Sequence, residues 1–405
     1  MRVPAPHVLF FVPEWPALDS SILHAQVLSV AGFLAREGYS CQFAGAETSL
    51  ARAREAASAI ERDYGVKASV GATLSIGGGA YALWRSCRAM HERLRNELAG
   101  QAISHVYARS FLGSMWARRL ARTLTARSVF DVRAFVGEEQ RMNPAARLKA
   151  VVTEYLEKRE IRLADRIATV SQNLRNRLEV ATGRRGAIVI PSCFDDHSFY
   201  YDSAARQQQR AAFGLDDATR LICYSGGTSA WQRIDDIIAT LKRVCMTSPQ
   251  CKALFLTPDQ AEVTRRLQRA EFPAAQAFVR GCAHKDVYRY LSAADAGIIM
   301  RHDTPVNNVA SPVKVAEYLA CGLPVIMTCG IGDYSEQLPA AGVGLLLDET
   351  SDIAGQILHL IDREDFPLLR EQAMSFARTR LTMSANRDHY NALYATTPRE
   401  GSSQC

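Results

Sequence analysis

At 405 residues the chain is too long to close a single hydrophobic core, so two domains are expected. Its 48% hydrophobic and 22% charged residues are ordinary for a globular protein, and no apolar run approaches the ~18 residues of a membrane span. The net charge of +6 hides a division: residues 1–188 hold 27 Lys and Arg against 17 Asp and Glu, or +10, while the remainder holds 21 against 25, or −4. A basic first half implies an anionic partner, whether a membrane surface, a lipid diphosphate or an acidic polymer. No finger, RNP-like or basic-zipper pattern accompanies the charge, which argues against nucleic acid. The ten cysteines lack CxxC or metal-ligand spacing and read as small core residues in a reducing cytoplasm. The opening Met1-Arg2-Val3-Pro4 leads into a strand-like run rather than a signal peptide.

In chain order, short apolar strands alternate with longer helical stretches, the pattern of parallel α/β units. His7–Val12 reads as the first strand and is followed by a loop at Pro13–Pro16. A helix from about Ser20 to Glu37 places Ile22, Leu23, Val27, Val30 and Leu34 on one stripe, and Gly38 stops it. Ser40–Ala44 is the next strand. Gly77-Gly78-Gly79 marks a turn before a helix carrying Arg85, Arg88, Arg93 and Arg95. Strands at Ile103–Ala108 and Ser128–Val132 flank a helix over Phe111–Thr125 that bears Arg118, Arg119 and Arg122. Arg147–Ala164 reads as an amphipathic helix with Val151, Tyr155, Leu156 and Ile161 toward the core, and Arg166–Val170 and Ala187–Ile190 close the first sheet. Pro191–Gly214 shows no clear element and serves as the linker. The second alternation has strands at Leu221–Tyr224, Ala253–Thr257, Ala277–Arg280, Ala296–Met300, Val325–Thr328 and Gly344–Leu347. The division expected is 1–190, 191–365, and a helical segment with a frayed tail at 366–405 that packs back on the first domain. Each of the two main parts reads as a doubly wound sheet, the two facing across a cleft.

The stretch from Ser311 to Ile326 carries the most chemistry. Ser311 suits a helix N-cap, Pro312 the first helical position, and Gly322 with Pro324 the stop. Lys314 in the first turn opposes the helix dipole unless an anion sits there, and free N–H groups plus a lysine make a phosphate site. Glu317, one turn on and on the same face, suits two hydroxyls of a ribose. The plainer reading is a capped, buried helix with a solvated Lys and Glu. Ligands of such sheets lie beyond the carboxyl ends of the strands. Gly226 and Gly227 follow the first strand of the second half, with Gln232 and Arg233 after them. Glycines let backbone approach a phosphate, although the pair by itself reads first as an ordinary turn. Arg109, Asp131 and Arg133 end strands of the first half, either touching substrate or forming structural ion pairs. His284 opens a helix near a possible base-binding loop, or is a packing residue as His24 and His105 are. Asp-x-Asp, G-x-G-x-x-G, G-x-x-x-x-G-K-[ST] and G-x-S-x-G are all absent, which removes support for a carboxylate-held metal, a dehydrogenase, a P-loop enzyme and a hydrolase elbow.

Ser311-Pro312-x-Lys314-x-x-Glu317-Tyr318-Leu319-Ala320-x-Gly322-x-Pro324-Val325-Ile326 in the second of two doubly wound halves resembles the GT-B glycosyltransferases, and among them the retaining family 4 enzymes of bacterial polysaccharide synthesis. Ala294–Ile299 before the motif, Gly330–Asp333 and Gly342–Leu346 after it, and Pro191–Asp195 at the start of the donor domain are similar in order. Family glutamate is replaced by Val309, for which Asn307 and Asn308, or the loop of Gly330 and Gly332, would substitute. The family's Arg and Lys fall at Gly227 and Gln232, with Arg233 beside them. The resemblance implies a sugar transferase, which the cysteine usage places in the cytoplasm and the charge division places peripherally at the inner membrane face. It would move a sugar from a UDP- or GDP-linked donor to a glycan or lipid-linked acceptor, with neither cofactor nor metal. Lys314, Arg233, Arg109 and Asp131 would be catalytic. Gly226, Gly227, Gln232, His284, Asn307, Asn308, Ser311, Pro312, Glu317, Gly330 and Gly332 would bind the donor. A nucleotide-sugar epimerase of the same architecture and a non-catalytic scaffold subunit are the alternatives.

Overall fold

The computed structural model describes residues 5–73, 79–141 and 144–396. The expected turn at Gly77-Gly78 and the tail Gly401–Cys405 lie outside them. The described residues form two compact units: those up to Ile190 together with those from Asn386 onward, and Pro191–Ala385.

The first unit is built on seven parallel strands: β1 (His7–Pro16), β2 (Ser40–Ala46), β3 (Lys67–Gly71), β4 (His105–Ala108), β5 (Arg127–Val132), β6 (Arg166–Thr169) and β7 (Ile188–Val189), in the order β3-β2-β1-β4-β5-β6-β7. The second unit has six: β8 (Arg220–Ser225), β9 (Cys251–Leu256), β10 (Ala277–Arg280), β11 (Ala296–Ile299), β12 (Val325–Met327) and β13 (Gly344–Leu346), in the order β10-β9-β8-β11-β12-β13. Both sheets reverse their winding next to the first strand, between β1 and β4 and between β8 and β11, which opens a crevice at the carboxyl ends. The central strands are continuous apolar runs because helices cover both faces. Along β8, Leu221 and Cys223 enter one core and Ile222 and Tyr224 the other, the alternation that a pleated strand imposes.

Several expectations need correction. Strand β3 was not anticipated: Lys67-Ala68-Ser69-Val70-Gly71 is an edge strand with little apolar content. The expected linker contains a helix, Ser203–Ala212, capped by the Asp202 side chain; it buries only Ala205 and Arg210 and so carries no apolar stripe to read. The helix expected from Ser20 is interrupted by a π-turn over His24–Leu28, and Ile22 is exposed. Helix Arg147–Leu163 buries Ala150, Thr153, Glu157, Glu160 and Ile161, while Val151 and Tyr155 face outward. Helix Phe366–Arg380 stays in the second unit, packed on helix Val313–Ala320; only helix Arg387–Leu393 completes the first, with Tyr390, Leu393 and Tyr394 buried. No helix among the described residues is long and apolar enough to cross a membrane.

Candidate functional site

In the second unit the loops after β8, β11 and β12 meet the start of helix Val313–Ala320 at the carboxyl ends of the strands. The helix begins one residue later than expected: Pro312 is its N-cap and supplies no side-chain hydrogen bond. Ser311 is therefore not the cap. Its hydroxyl accepts from the Ser192 N–H at 3.0 Å and pairs with the Tyr334 hydroxyl at 3.2 Å. The helix start is left without a side-chain acceptor, which suits an anion.

Tyr318 fixes this helix to the sheet. Fully buried, its hydroxyl accepts from the Ser225 N–H at 2.7 Å and donates to the Ile298 carbonyl at 3.4 Å. Its ring occupies space that any side chain at Gly297 would fill, since a Cβ there would lie 2.4 Å from Tyr318 Cδ2. Ser225 in turn leads into the glycine loop. Gly226 has φ +147°, and a Cβ at this position would sit 2.6 Å from Lys314 Nζ. The Tyr224 hydroxyl donates to the Gly227 carbonyl at 2.6 Å, and Asp259 accepts from the Thr228 N–H and hydroxyl at 2.8 and 2.9 Å. Glycine loop and lysine are thus in direct apposition, a proximity that neither residue signals alone.

Lys314 is buried. Its ammonium donates to Gln232 Oε1 at 3.0 Å and lies 4.7 Å from the centre of the Tyr224 ring. Burial lowers its pKa to about 7, with the Arg301 charge acting in the same direction and Glu317 opposing. Glu317, also buried, meets His284 Nε2 at 3.2 Å, and this hydrogen bond raises the histidine pKa. The structure thus brings together Gly226, Gln232, His284, Lys314 and Glu317.

Arg233 takes a different role from the one expected. Held at φ +47°, it is paired with Asp236 at 2.6 Å and with Glu349 at 2.6 Å, and donates to the Arg301 carbonyl at 3.3 Å. Two carboxylates satisfy its charge, so it staples the loop rather than serving as a second cation beside Lys314. Asn307 and Asn308 are likewise committed within their own loop, donating to the His302 carbonyl at 2.9 Å and to Asp303 at 2.7 Å. Gly330 and Gly332 pack on that loop; at Gly332, φ +51°, a Cβ would fall 1.9 Å from the Ala310 carbonyl oxygen. Val309, which replaces the first glutamate of the resembling family, is buried.

Arg301 was missed. It lies two residues beyond the β11 end, and its backbone N–H and carbonyl both bond the Thr328 hydroxyl, at 2.9 and 2.8 Å. Its guanidinium donates to Asn307 Oδ1 at 3.4 Å and depresses the Lys314 pKa, so its field reaches the lysine. Its place at a strand end next to the winding reversal is the signal that would have found it. Among the described residues, no group of three or more His, Cys, Asp or Glu stands together as a metal-ligand set.

Arg109 and Asp131 belong to the first unit. Asp131 accepts from the Tyr107 hydroxyl at 2.6 Å and pairs with Arg133 at 2.8 Å, a buried network lined by Tyr390 and Tyr394. Arg109 donates to Gln26 and lies 5.3 Å from the centre of the Trp15 ring. Nearby, Glu14 pairs with Ser110, and burial raises its carboxyl pKa. His24 and His105 are packing residues, the first bonded to Tyr64 and the second against Ser104 and Tyr394.

No curated protein matches the chain in sequence. Among solved structures it is similar to sucrose-phosphate synthase from Thermosynechococcus elongatus, with TM-score 0.73 and 16% identity over 96% of this chain and 98% of that one. It is also similar to HepE of Anabaena in complex with UDP, at 0.70 and 14% over 96% and 99%. The UDP-glucose complex of HepE gives 0.68 and 13% over the same shares, 96% and 99%. At these identities the likeness speaks for the fold, which is the two-domain GT-B architecture. Residues 205–380, which lie within the second unit, match the family described as "Glycosyl transferases group 1".

Proposed function

We propose that the chain is a retaining glycosyltransferase that moves a sugar from a nucleoside-diphosphate sugar, UDP- or GDP-linked, to a glycan or lipid-linked acceptor in cell-surface polysaccharide synthesis. The observation that carries this reading is the apposition of Lys314, an uncapped helix start and the Gly226 loop, one helical turn from Glu317. The group 1 domain and the nucleotide complexes of HepE support it. In this reading Lys314 and the helix N–H groups hold the diphosphate, while Glu317, positioned by His284, takes the ribose. Burial makes the Lys314 charge costly without an anion, so it acts most strongly as negative charge develops on the leaving group. The acceptor oxygen bonds to the anomeric carbon on the face from which the phosphate departs. The carbon–oxygen bond to phosphate breaks, and the acceptor proton passes to the leaving phosphate. No divalent metal or cofactor takes part. The basic excess of residues 1–188 supports a cytoplasmic protein whose acceptor lies at an anionic membrane surface.

Isothermal titration with UDP-, GDP- and ADP-sugars, followed by turnover with and without acceptor, tests the reading. Binding of one sugar nucleotide, its loss in Lys314→Ala at unchanged melting temperature, and acceptor-dependent turnover are expected. Conversion without acceptor would make the protein an epimerase; binding without turnover, or none, would make it a scaffold.

A further inference from the structure

Helix Arg147–Leu163 presents to solvent the residues that a core normally claims. Leu148, Val151, Val152 and Tyr155 are 82%, 54%, 53% and 67% exposed. Their spacing, i, i+3, i+4 and i+7, places them on one stripe. Every exposed residue of the helix is apolar or basic, the basic ones being Arg147, Lys149, Arg159 and Arg162. Its three acidic residues are turned elsewhere and hydrogen-bonded. Glu154 accepts from Arg141 at 2.8 Å, Glu157 from the Val136 and Gly137 N–H groups at 2.8 and 2.9 Å, and Glu160 from buried Arg118 at 2.9 Å.

We infer that this face of helix Arg147–Leu163 is the surface by which the first unit lies on an anionic lipid bilayer, its apolar stripe entering the interface and its basic rim meeting the headgroups. An apolar stripe with an all-basic rim is the pattern of an interfacial helix. A second copy of the chain is disfavoured as the occupant, because a two-fold contact would set basic rim against basic rim. The helices of the first half that bear Arg88, Arg93, Arg118 and Arg119 are less suited. Arg88 pairs with Glu92 at 3.0 Å, Arg93 with Ser69 and Glu97, Arg118 is buried against Glu160, and Arg119 lies over the Trp116 ring. The inference rests on the membrane part of the proposed function and is independent of the donor site.

Co-sedimentation with phosphatidylcholine vesicles, with and without phosphatidylglycerol, tests it on the full chain. Wild type is expected to bind the anionic vesicles and to release in high salt. Leu148→Asp with Tyr155→Asp should weaken binding at least tenfold. Arg147→Gln with Lys149→Gln should weaken it severalfold and flatten its salt dependence, and Arg88→Gln with Arg122→Gln should leave it unchanged. The altered side chains are exposed, so melting temperatures should not move. Equal vesicle binding by wild type and the Leu148/Tyr155 variant, or no binding by wild type, overturns the inference. So does a self-association of wild type that the same variant abolishes, which would assign the stripe to a second copy. Nucleotide titration on the same samples separates the two proposals: vesicle binding without nucleotide binding would refute the donor site alone.

Discussion

Lys314 should take up a proton when a nucleoside diphosphate binds. In the unliganded protein burial holds its pKa near 7, against an ordinary value of 10.5. At about pH 8 the group is then only about one-tenth protonated, and a bound diphosphate that restores the ordinary range draws in about 0.9 proton per ligand. Affinity should accordingly fall by close to tenfold per pH unit between about pH 8 and 9. The nucleotide contributes little of this, since its terminal phosphate titrates near pH 6. Titration calorimetry at matched pH, in two buffers of different ionisation enthalpy, reads the proton count directly. Lys314→Arg, permanently charged, should show none. Arg301→Gln removes a repelling charge, so the resting lysine pKa rises and uptake at pH 8 shrinks. Without ligand the sign reverses: the unfolded chain binds the extra proton between about pH 7 and 10.5, so stability should rise with pH across that window. A pH-independent affinity with no proton uptake in wild type would refute the placement of Lys314 against the diphosphate.

Turnover should survive EDTA, an expectation drawn from the absence of Asp-x-Asp; activity that vanishes and returns with Mg²⁺ or Mn²⁺ would overturn the charge-stabilisation account. Gly332→Ala should cost roughly 2–4 kcal/mol in urea unfolding, because its Cβ would collide with the Ala310 carbonyl, whereas Gly227→Ala, whose nearest neighbour is Asp259 Oδ2 at 3.3 Å, should cost far less. Tyr318→Phe should lose about 1–3 kcal/mol by leaving the Ser225 N–H without its acceptor, and should weaken nucleotide binding by loosening the glycine loop.

The parallel strands were legible because strands buried on both faces must be apolar throughout, as Leu221–Tyr224 is. Strand β3 was not, because an edge strand can be as polar as Lys67–Gly71. Lys314 and Glu317 could be paired in advance, since helical spacing alone puts them on one face. Arg233 could not be judged that way: of the two carboxylates that pair with it, Glu349 lies 116 residues later and meets it only through the fold. The stripe on Arg147–Leu163 exposes a different limit. Periodicity reports that a helix has two faces, and only packing decides which one the core receives.

Helix Arg387–Leu393 completes the first unit although it follows the whole of the second in sequence. On the ribosome, the partly closed core around Tyr107 and Asp131 must wait for Tyr390 and Tyr394 until all of Pro191–Ala385 has been made. At ordinary synthesis rates that delay is about 10–40 s. The second unit, whose first and last segments pair through Phe194 with Leu381 and Met383, has every residue it needs before the first can finish. The nascent chain is therefore expected to mature in reverse, with its later-made unit closing first. A truncation just after Ala385 should leave that unit intact while depriving the earlier-made one of its last buried aromatics.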